Sequence, residues 1–144
     1  KTLKTLTPGD ATGIVEGGNL TVLASLCGTP YELKGNGAIL LLEDTGEDPY
    51  RVDRMMEQLY QSGLLSRVSA IAYGDFYGAS PVGEEFSIHD VLAYYAKLSG
   101  KPAIEGVPAG HGPDNLFLPL GVKATIHAKE DGSAVFSYDE SYLK

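Results

Sequence analysis

Two residues have the type and the position that acid–base chemistry requires, Glu43 and His111. Glu43 directly follows the apolar run AILLL at 38–42, which predicts a central strand covered on both faces. In open α/β sheets ligands bind at the carboxyl ends of the strands, so Glu43 is expected at the rim of a binding cleft. The alternative is that Glu43 and Asp44 begin a solvated loop.

His111 differs from the other two histidines because no periodic pattern explains it by packing. Gly110 and Gly112 flank it, and glycines allow a substrate or another backbone to approach the imidazole ring closely. The alternative is a loop imidazole that bonds a backbone carbonyl. His89 is predicted in the first turn of a helix, where the helix dipole disfavours a cation, and His127 on the polar face of a hairpin. Both are therefore predicted to be surface residues.

A Glu–His pair has two chemical uses. The carboxylate can accept the imidazole Nδ1–H, fix the tautomer and leave Nε2 as a base for a hydroxyl nucleophile. Both groups could instead bind a metal, but one His and one carboxylate are an incomplete ligand set, and no HExxH motif completes it. Acyl transfer is favoured, yet no serine suits it: Ser25 and Ser69 are predicted to be buried, Ser87 caps a helix, and no GxSxG motif is present.

The elements around Glu43 predict a mixed α/β fold. A helix begins at Asp48 as N-cap, has Pro49 at its first position and ends at Gly63. Apolar runs at 38–42 and 68–73 predict buried strands on either side of it. A strand, helix and strand of this combined length form a right-handed, parallel βαβ unit.

Further elements are predicted before and after this unit. Residues 11–16 form a short strand, and Asn19 caps a short, deeply buried helix. Ser87 with Asp90 three residues later resembles a capping box that begins a third helix. Alternating residues from 122 to 138 flank an Asp-Gly turn and predict an antiparallel hairpin at the edge of the sheet.

Composition excludes several classes of protein. A chain of 144 residues with 43% hydrophobic and 21% charged residues is typical of a globular domain. A net charge of −8 argues against nucleic-acid binding, which needs a cationic surface. No apolar stretch approaches the roughly 18 residues that a membrane-spanning helix needs. The single Cys27 excludes an internal disulfide and a cysteine-built zinc site, and fits a reducing compartment.

Three segments then make the sequence recognisable: GIVEGGNLTVLASLCGTPY at 13–31, ILLLEDTGEDPYRVDRMMEQL at 39–59 and GHGPDNLFLPLG at 110–121. In this order they resemble the C-terminal half of LD-carboxypeptidases, which serve bacterial peptidoglycan recycling and share a fold with microcin C immunity peptidases. The similarity runs from about Pro8 to His127. It implies a swivelling β/β/α layered domain at 11–144, with a parallel βαβ core and a C-terminal antiparallel hairpin, after a leading segment at 1–10.

The resemblance also implies a catalytic role for each of the two residues. In that family an N-terminal domain carries the nucleophilic serine, and the C-terminal domain supplies a Glu and a His. Glu43 matches the Glu of the LEDxGE motif and His111 matches the His of GHG. The implied reaction is hydrolysis, in the cytoplasm, of the bond between an L-centre (meso-diaminopimelate or lysine) and the terminal D-Ala of murein tetrapeptide. No metal or organic cofactor is implied.

Two further features bear on the substrate. The resemblance implies that Gly18 and Asn19 face the site and bind substrate, and helix capping is the alternative role for Asn19. The microcin-immunity branch is expected to carry a Lys four residues after the catalytic Glu, where it meets the substrate phosphate. Here Glu47 occupies that position and would repel phosphate, which favours the carboxypeptidase branch.

The chain begins with Lys1 rather than Met, so either a segment was removed from its front or it is a piece of a longer polypeptide. The resemblance implies that it is inactive without an N-terminal domain that carries the nucleophile. Three alternatives stay open: a non-catalytic binding or dimerisation domain in which Glu43 and His111 are loop residues, a microcin-C-type peptidase, and a metal hydrolase. The expected partners are the murein peptide, the missing domain and, as a further option, a second copy in a homodimer. Neither a nucleic acid nor a membrane is expected as a partner.

Overall fold

The computed structural model describes residues 2–77, 87–109 and 118–139. Its strands are β1 (Lys4–Thr7), β2 (Gly9–Asn19), β3 (Ile39–Thr45), β4 (Ala70–Tyr77), β5 (Ala103–Glu105), β6 (Lys123–Ala128) and β7 (Ala134–Tyr138). Its helices are α1 (Leu20–Leu26), α2 (Pro49–Gln61), α3 (Leu64–Arg67) and α4 (Ile88–Ser99). Within these ranges no helix has the length and apolar character needed to pass through a membrane.

The strands form a seven-stranded sheet in the order β1-β5-β4-β3-β2-β6-β7. Strands β2, β3, β4 and β5 pair in parallel, and the outer strands β1, β6 and β7 pair antiparallel. The predicted parallel βαβ unit is confirmed as β3-α2-β4, and the predicted C-terminal hairpin is confirmed as β6-β7. The carboxyl ends of the parallel strands therefore meet at one edge of the sheet.

Strand β2 bends the sheet into two layers because its two halves pair with different neighbours. Residues 9–14 pair with β6, and residues 15–19 pair with β3. The β6-β7 hairpin consequently covers one face of the parallel strands, while α1, α2 and α4 cover the other. The predicted β/β/α layering is confirmed.

A buried cluster fills each of the two interfaces between these layers. The helix-side cluster includes Leu20, Leu40, Leu42, Val52, Met56, Leu59, Leu64, Leu65, Ile71, Tyr73, Leu92 and Tyr95. The hairpin-side cluster contains Val15, Ile39, Leu41, Ala70, Ala72, Ile104, Val107, Ala109, Ala124, Ile126 and Ala128. Successive residues of β3 alternate between the two clusters, so this strand is covered on both faces, as the run AILLL predicts.

The helix starts follow the capping chemistry of the sequence, with one difference. The Asn19 side chain accepts a hydrogen bond from the backbone N–H of Val22 at 3.0 Å, and Ser87 and Asp90 form the predicted capping box. Asp48 is the N-cap of α2, but its side chain makes no capping hydrogen bond. At that terminus Pro49 removes one of the backbone donors that a cap would satisfy.

Three local expectations are wrong or incomplete. Helix α1 is not deeply buried, because only one of its faces packs on the sheet and Val22 is 54% exposed. Ser25 lies on the outer face of α1 and is exposed, and Ser69 is half-buried rather than buried. Strand β1 was not predicted, and it pairs with β5 at the edge of the sheet.

Candidate functional site

Glu43 lies near the carboxyl end of β3, inside the strand rather than in a loop. Its side chain is buried, with 9% relative exposure, and its backbone pairs with Asn19 at the end of β2. The alternative that Glu43 and Asp44 begin a solvated loop is therefore wrong. Burying a carboxylate costs free energy unless polar groups surround it. The groups next to Glu43 therefore bear on its role.

Asn19 is one of those neighbours, and its side chain performs two tasks at once. Its Oδ1 accepts the hydrogen bond that caps α1, which leaves Nδ2 directed toward the acids of β3. Nδ2 lies 3.5 Å from Glu43 Oε1 and 3.4 Å from Asp44 Oδ1. These contacts are at the long end of the hydrogen-bonding range, and the amide is uncharged, so Asn19 contacts both carboxylates without neutralising either.

Asp44 is adjacent to Glu43 in sequence but has a structural role. It is 4% exposed, and its Oδ2 accepts hydrogen bonds from Thr21 N at 2.9 Å and Thr21 Oγ1 at 2.6 Å. Its Oδ1 accepts a further bond from Thr45 N at 2.8 Å. Asp44 thus ties the first turn of α1 to β3, a role that the sequence did not reveal, since two adjacent acids look alike without their partners.

The two glycines before Asn19 differ in what surrounds them. Gly17 has φ +130°, and a Cβ there would lie 2.1 Å from the carbonyl oxygen of Leu41. Gly18 has φ +138°, but a Cβ there would meet no atom of the described residues within 4 Å. Gly17 is therefore required for the approach of β2 to β3, whereas Gly18 leaves open space next to Asn19 at the edge of the sheet. Substrate binding by Gly18 and Asn19 stays a prediction.

His111 lies outside the described residues, but the chain on both sides of it is described. Val107 N donates to Tyr73 O at 3.1 Å, and Asp75 N donates to Ala109 O at 2.7 Å. The chain at 107–109 therefore runs along the carboxyl end of β4, the strand next to β3. Leu118, where the described chain resumes, packs against the hairpin-side cluster that includes Ala109.

The other two histidines lie on the surface, as predicted. His89 is 57% exposed and its Nδ1 is 2.9 Å from a carboxylate oxygen of Glu105. His127 is 50% exposed and its Nδ1 is 3.0 Å from Asp10 Oδ1. Both form imidazole–carboxylate pairs, and their exposure shows that such a pair by itself does not define a catalytic site.

The three serines that the sequence analysis considered as nucleophiles form hydrogen bonds with the backbone. Ser25 Oγ donates to the carbonyl of Val22 at 2.7 Å, and Ser69 Oγ donates to the carbonyl of Gly37 at 3.0 Å. The Ser87 hydroxyl accepts the capping hydrogen bond of α4 from Asp90 N at 3.2 Å. Within the part of the chain that the structure describes, none of these three hydroxyls is hydrogen-bonded to an imidazole. Across residues 2–77, 87–109 and 118–139, no group of three His, Cys, Asp or Glu side chains is arranged to hold a metal ion.

The layering and the buried rim acid define the class of the domain: a three-layer β/β/α unit with a polar site at the carboxyl ends of its parallel strands. The chain belongs to the LD-carboxypeptidase C-terminal domain family, whose model matches residues 12–126. The family is therefore the one that the three sequence segments resemble.

Two relatives are named as carboxypeptidases of murein peptides. The chain is 38% identical over 135 residues to a probable murein peptide carboxypeptidase of Bacillus subtilis, covering 92% of this chain and 42% of that protein. It is 36% identical over 115 residues to a murein tetrapeptide carboxypeptidase of Pseudomonas aeruginosa, covering 79% of this chain and 38% of that protein. The chain thus spans about two fifths of the length of these relatives.

Solved structures agree with the fold. A muramoyltetrapeptide carboxypeptidase from Oxalobacter formigenes superposes with a TM-score of 0.81 at 33% identity, covering 96% of this chain and 50% of that one. The microcin self-immunity protein MccF superposes with a TM-score of 0.79 at 28% identity, covering 96% of this chain and 41% of that one.

Proposed function

We propose that this chain is the C-terminal domain of a serine-type LD-carboxypeptidase that removes the terminal D-Ala from murein tetrapeptide in peptidoglycan recycling. In this proposal Glu43 and His111 are two members of a Ser-Glu-His triad. The observation that carries it is the burial of Glu43 beside Asn19 at the carboxyl edge of the parallel strands, in a chain of this family. Recycling of peptidoglycan fragments would place the enzyme in the cytoplasm.

The described residues before and after the segment that contains His111 support pairing with Glu43. Alternation along β3 puts Glu43 on the face of Ile39 and Leu41, whose side chains belong to the hairpin-side cluster. Ala109 belongs to the same cluster and Leu118 packs against it, so the segment that contains His111 begins and ends on that side of the sheet.

In the proposed mechanism, His111 Nε2 takes the proton of the serine hydroxyl as the oxygen attacks the carbonyl of the L-centre. The imidazolium then gives this proton to the departing amine of D-Ala, and a water molecule repeats the sequence to release the acyl group. Glu43 accepts the Nδ1–H, which fixes the tautomer and stabilises the cation that forms. Loss of such support in the related Ser-His-Asp arrangement costs roughly 10⁴-fold in turnover.

The proposal places the nucleophile on a further, N-terminal domain, because the relatives are more than twice as long as the region they share with this chain. It follows that residues 1–144 alone have no turnover. The substrate site would form only where the two domains meet, at the rim that holds Glu43.

A microcin-type peptidase of peptide nucleotides is the second candidate, and the similarity to MccF favours it. The charge at Glu47 argues against it. Glu47 lies half-buried, 3.9 Å from Arg51, and a carboxylate at this position opposes the binding of a phosphate. We therefore keep the carboxypeptidase as the conclusion.

Reconstitution from two halves tests the proposal. The N-terminal domain of the same enzyme, made separately, is mixed with this chain, and D-Ala release from murein tetrapeptide is measured. We expect activity only in the mixture, its loss with His111→Ala, and its retention with His127→Ala, a matched control that removes an exposed imidazole paired with a carboxylate.

Two results would overturn the proposal. Full activity with His111→Ala would favour the non-catalytic binding or dimerisation domain. Inhibition of the mixture by a chelator, reversed by a divalent metal, would favour a metal hydrolase.

A further inference from the structure

Strand β4 contains a bulge opposite Glu43. The residues on either side of Glu43 pair with Tyr73 and Phe76. Glu43 therefore faces the two residues between them, Gly74 and Asp75. Bulges of this kind change the direction of side chains and are common next to active sites. Asp75, an acid in such a bulge, has no role in the mechanism above.

Asp75 lies on the same face of the sheet as Glu43. Phe76 packs against the helix-side cluster, so alternation directs the side chain before it, that of Asp75, toward the hairpin side. Neighbouring strands are about 4.8 Å apart, so the two acidic side chains start from adjacent positions on this face. Asp75 is 3% exposed and Glu43 is 9% exposed. Both acids of the pair are therefore buried.

The bulge also holds the chain that leads to His111. Asp75 N donates to the carbonyl oxygen of Ala109 at 2.7 Å, and Ala109 is two residues before His111. A Cβ on Gly74 would lie 2.7 Å from that same oxygen, so the approach of the chain requires a glycine there. Glu43, Asp75 and Ala109 consequently lie together at one place on the rim.

We propose that Asp75 is a further positioning residue of the site, whose carboxylate acts beside that of Glu43 to stabilise the positive charge that His111 acquires during the reaction. The inference rests on the proposed carboxypeptidase function. Two neighbouring carboxylates repel each other, and a cation that forms next to both relieves this repulsion. Because the imidazole becomes cationic only when it takes the serine proton, the second carboxylate stabilises the transition state more than the bound substrate.

Other charged groups near this rim are directed away from the pair. Asp44 is bonded to the first turn of α1, and Glu105, at the end of β5, pairs with an imidazole of α4 on the helix side. In the hairpin layer, Lys123 and His127 alternate with the buried residues of β6 and point to solvent. The effect of Asp75 on the site is therefore separable from the effects of these groups.

The test uses the full-length enzyme that contains this domain, with Asp75→Asn, which keeps the shape of the side chain and removes its charge. We expect kcat for D-Ala release from murein tetrapeptide to fall about tenfold with little change in KM, since the charge acts on a cation that forms only during the reaction. A nearby anion favours the protonated imidazole. Its removal should therefore move the acidic limb of kcat/KM against pH, which reports the base of the free enzyme, to lower pH by about half a pH unit or more.

Two control variants separate charge from position. Asp10→Asn removes an exposed carboxylate that lies 3.0 Å from an imidazole nitrogen of His127, and it should leave both kcat and the limb unchanged. Gly74→Ala keeps the charge but displaces Ala109, so it should lower kcat without moving the limb. Asp75→Ser is a second variant that removes the charge, and the pH of the limb does not depend on the fraction of enzyme that is folded.

Three results would count against the inference. Wild-type kcat in both Asp75 variants, or a lower kcat with an unmoved limb, overturns it and leaves the carboxypeptidase intact. A loss confined to KM also overturns it, in favour of contact between Asp75 and the substrate. A full-length wild-type enzyme that releases no D-Ala overturns the proposed function and the inference together.

Discussion

Asn19 and Glu43 occupy paired positions at the ends of two parallel strands, and the amide nitrogen of one lies 3.5 Å from the carboxylate of the other. The same Asn19 side chain caps α1 through its oxygen. One amide therefore fixes both the start of a helix and the surroundings of the candidate catalytic acid. The two tasks use different atoms, so they can be separated by substitution.

The variants Asn19→Ser and Asn19→Ala separate helix capping from the contact with Glu43. Ser retains a capping oxygen, so it should leave stability near wild type, whereas Ala should cost about 1 kcal/mol in the free energy of unfolding. Both variants lose Nδ2, so both should lower kcat of the reconstituted enzyme to a similar extent. Urea unfolding and D-Ala release measure the two effects, and a Ser variant with wild-type kcat would show that Nδ2 is dispensable.

Glu43 and Asp44 should respond in opposite ways to substitution. Asp44→Ala leaves the donors of Thr21 and Thr45 without their acceptor, at a cost of about 2–4 kcal/mol. Glu43→Gln keeps the shape of the side chain and should change stability little, yet it should reduce turnover by roughly 10⁴-fold. Denaturant unfolding and turnover, measured on both variants, check the contrast. Equal losses of activity in two equally stable variants would contradict it.

Gly17 and Gly18 offer a similar contrast in the backbone. Both have a φ that disfavours other residues, at a cost of about 1–3 kcal/mol, so either Gly→Ala change is destabilising. Gly17→Ala adds a collision with the Leu41 carbonyl and should destabilise more, enough to impair folding. Thermal unfolding of the two variants checks this order, and a Gly17→Ala domain as stable as Gly18→Ala would refute it.

The sequence was sufficient to predict features that depend only on residues close together in the chain. The run 38–42 indicated a strand covered on both faces, and Asn19 and Ser87 indicated helix starts, because burial pattern and capping depend on few neighbours. The prediction for α1 was wrong because an apolar helix does not reveal how many of its faces will be covered. The separate roles of Glu43 and Asp44 could not be predicted, since they depend on Thr21, a residue more than twenty positions earlier.

The pairing of β1 with β5 is another feature that could not be predicted from the sequence. The segment KTLKTLTPGD is polar and gives little sign of a strand, but an edge strand needs only one neighbour to satisfy its backbone. The position of Glu43 at the rim could be predicted because the rim of a parallel sheet is a consequence of topology, and the topology follows from the βαβ pattern.

Two buried tyrosines are expected to make the domain less stable as the pH becomes alkaline. Tyr73 is fully buried, and its hydroxyl has no hydrogen-bond partner among the described residues. Tyr95 is 2% exposed and donates to Glu57 Oε1 at 2.9 Å. Burial is the main cause that raises the pKa of both phenols well above the ordinary value, and for Tyr95 the bond to Glu57 adds to it.

The direction of this pH dependence follows from whether the folded or the unfolded state keeps the phenolic proton. Unfolded tyrosines lose it above about pH 10, whereas these two keep it in the folded domain. Their contribution to stability is complete below that pH and declines as the pH rises further toward the raised values. Urea midpoints between about pH 9 and 11 should fall, and Tyr73→Phe or Tyr95→Phe should each make the fall shallower. Because the Tyr73 hydroxyl lacks a partner among the described residues, Tyr73→Phe should also keep or raise stability at neutral pH, by up to about 1 kcal/mol. An unchanged slope in both variants would mean that other groups titrate in this range.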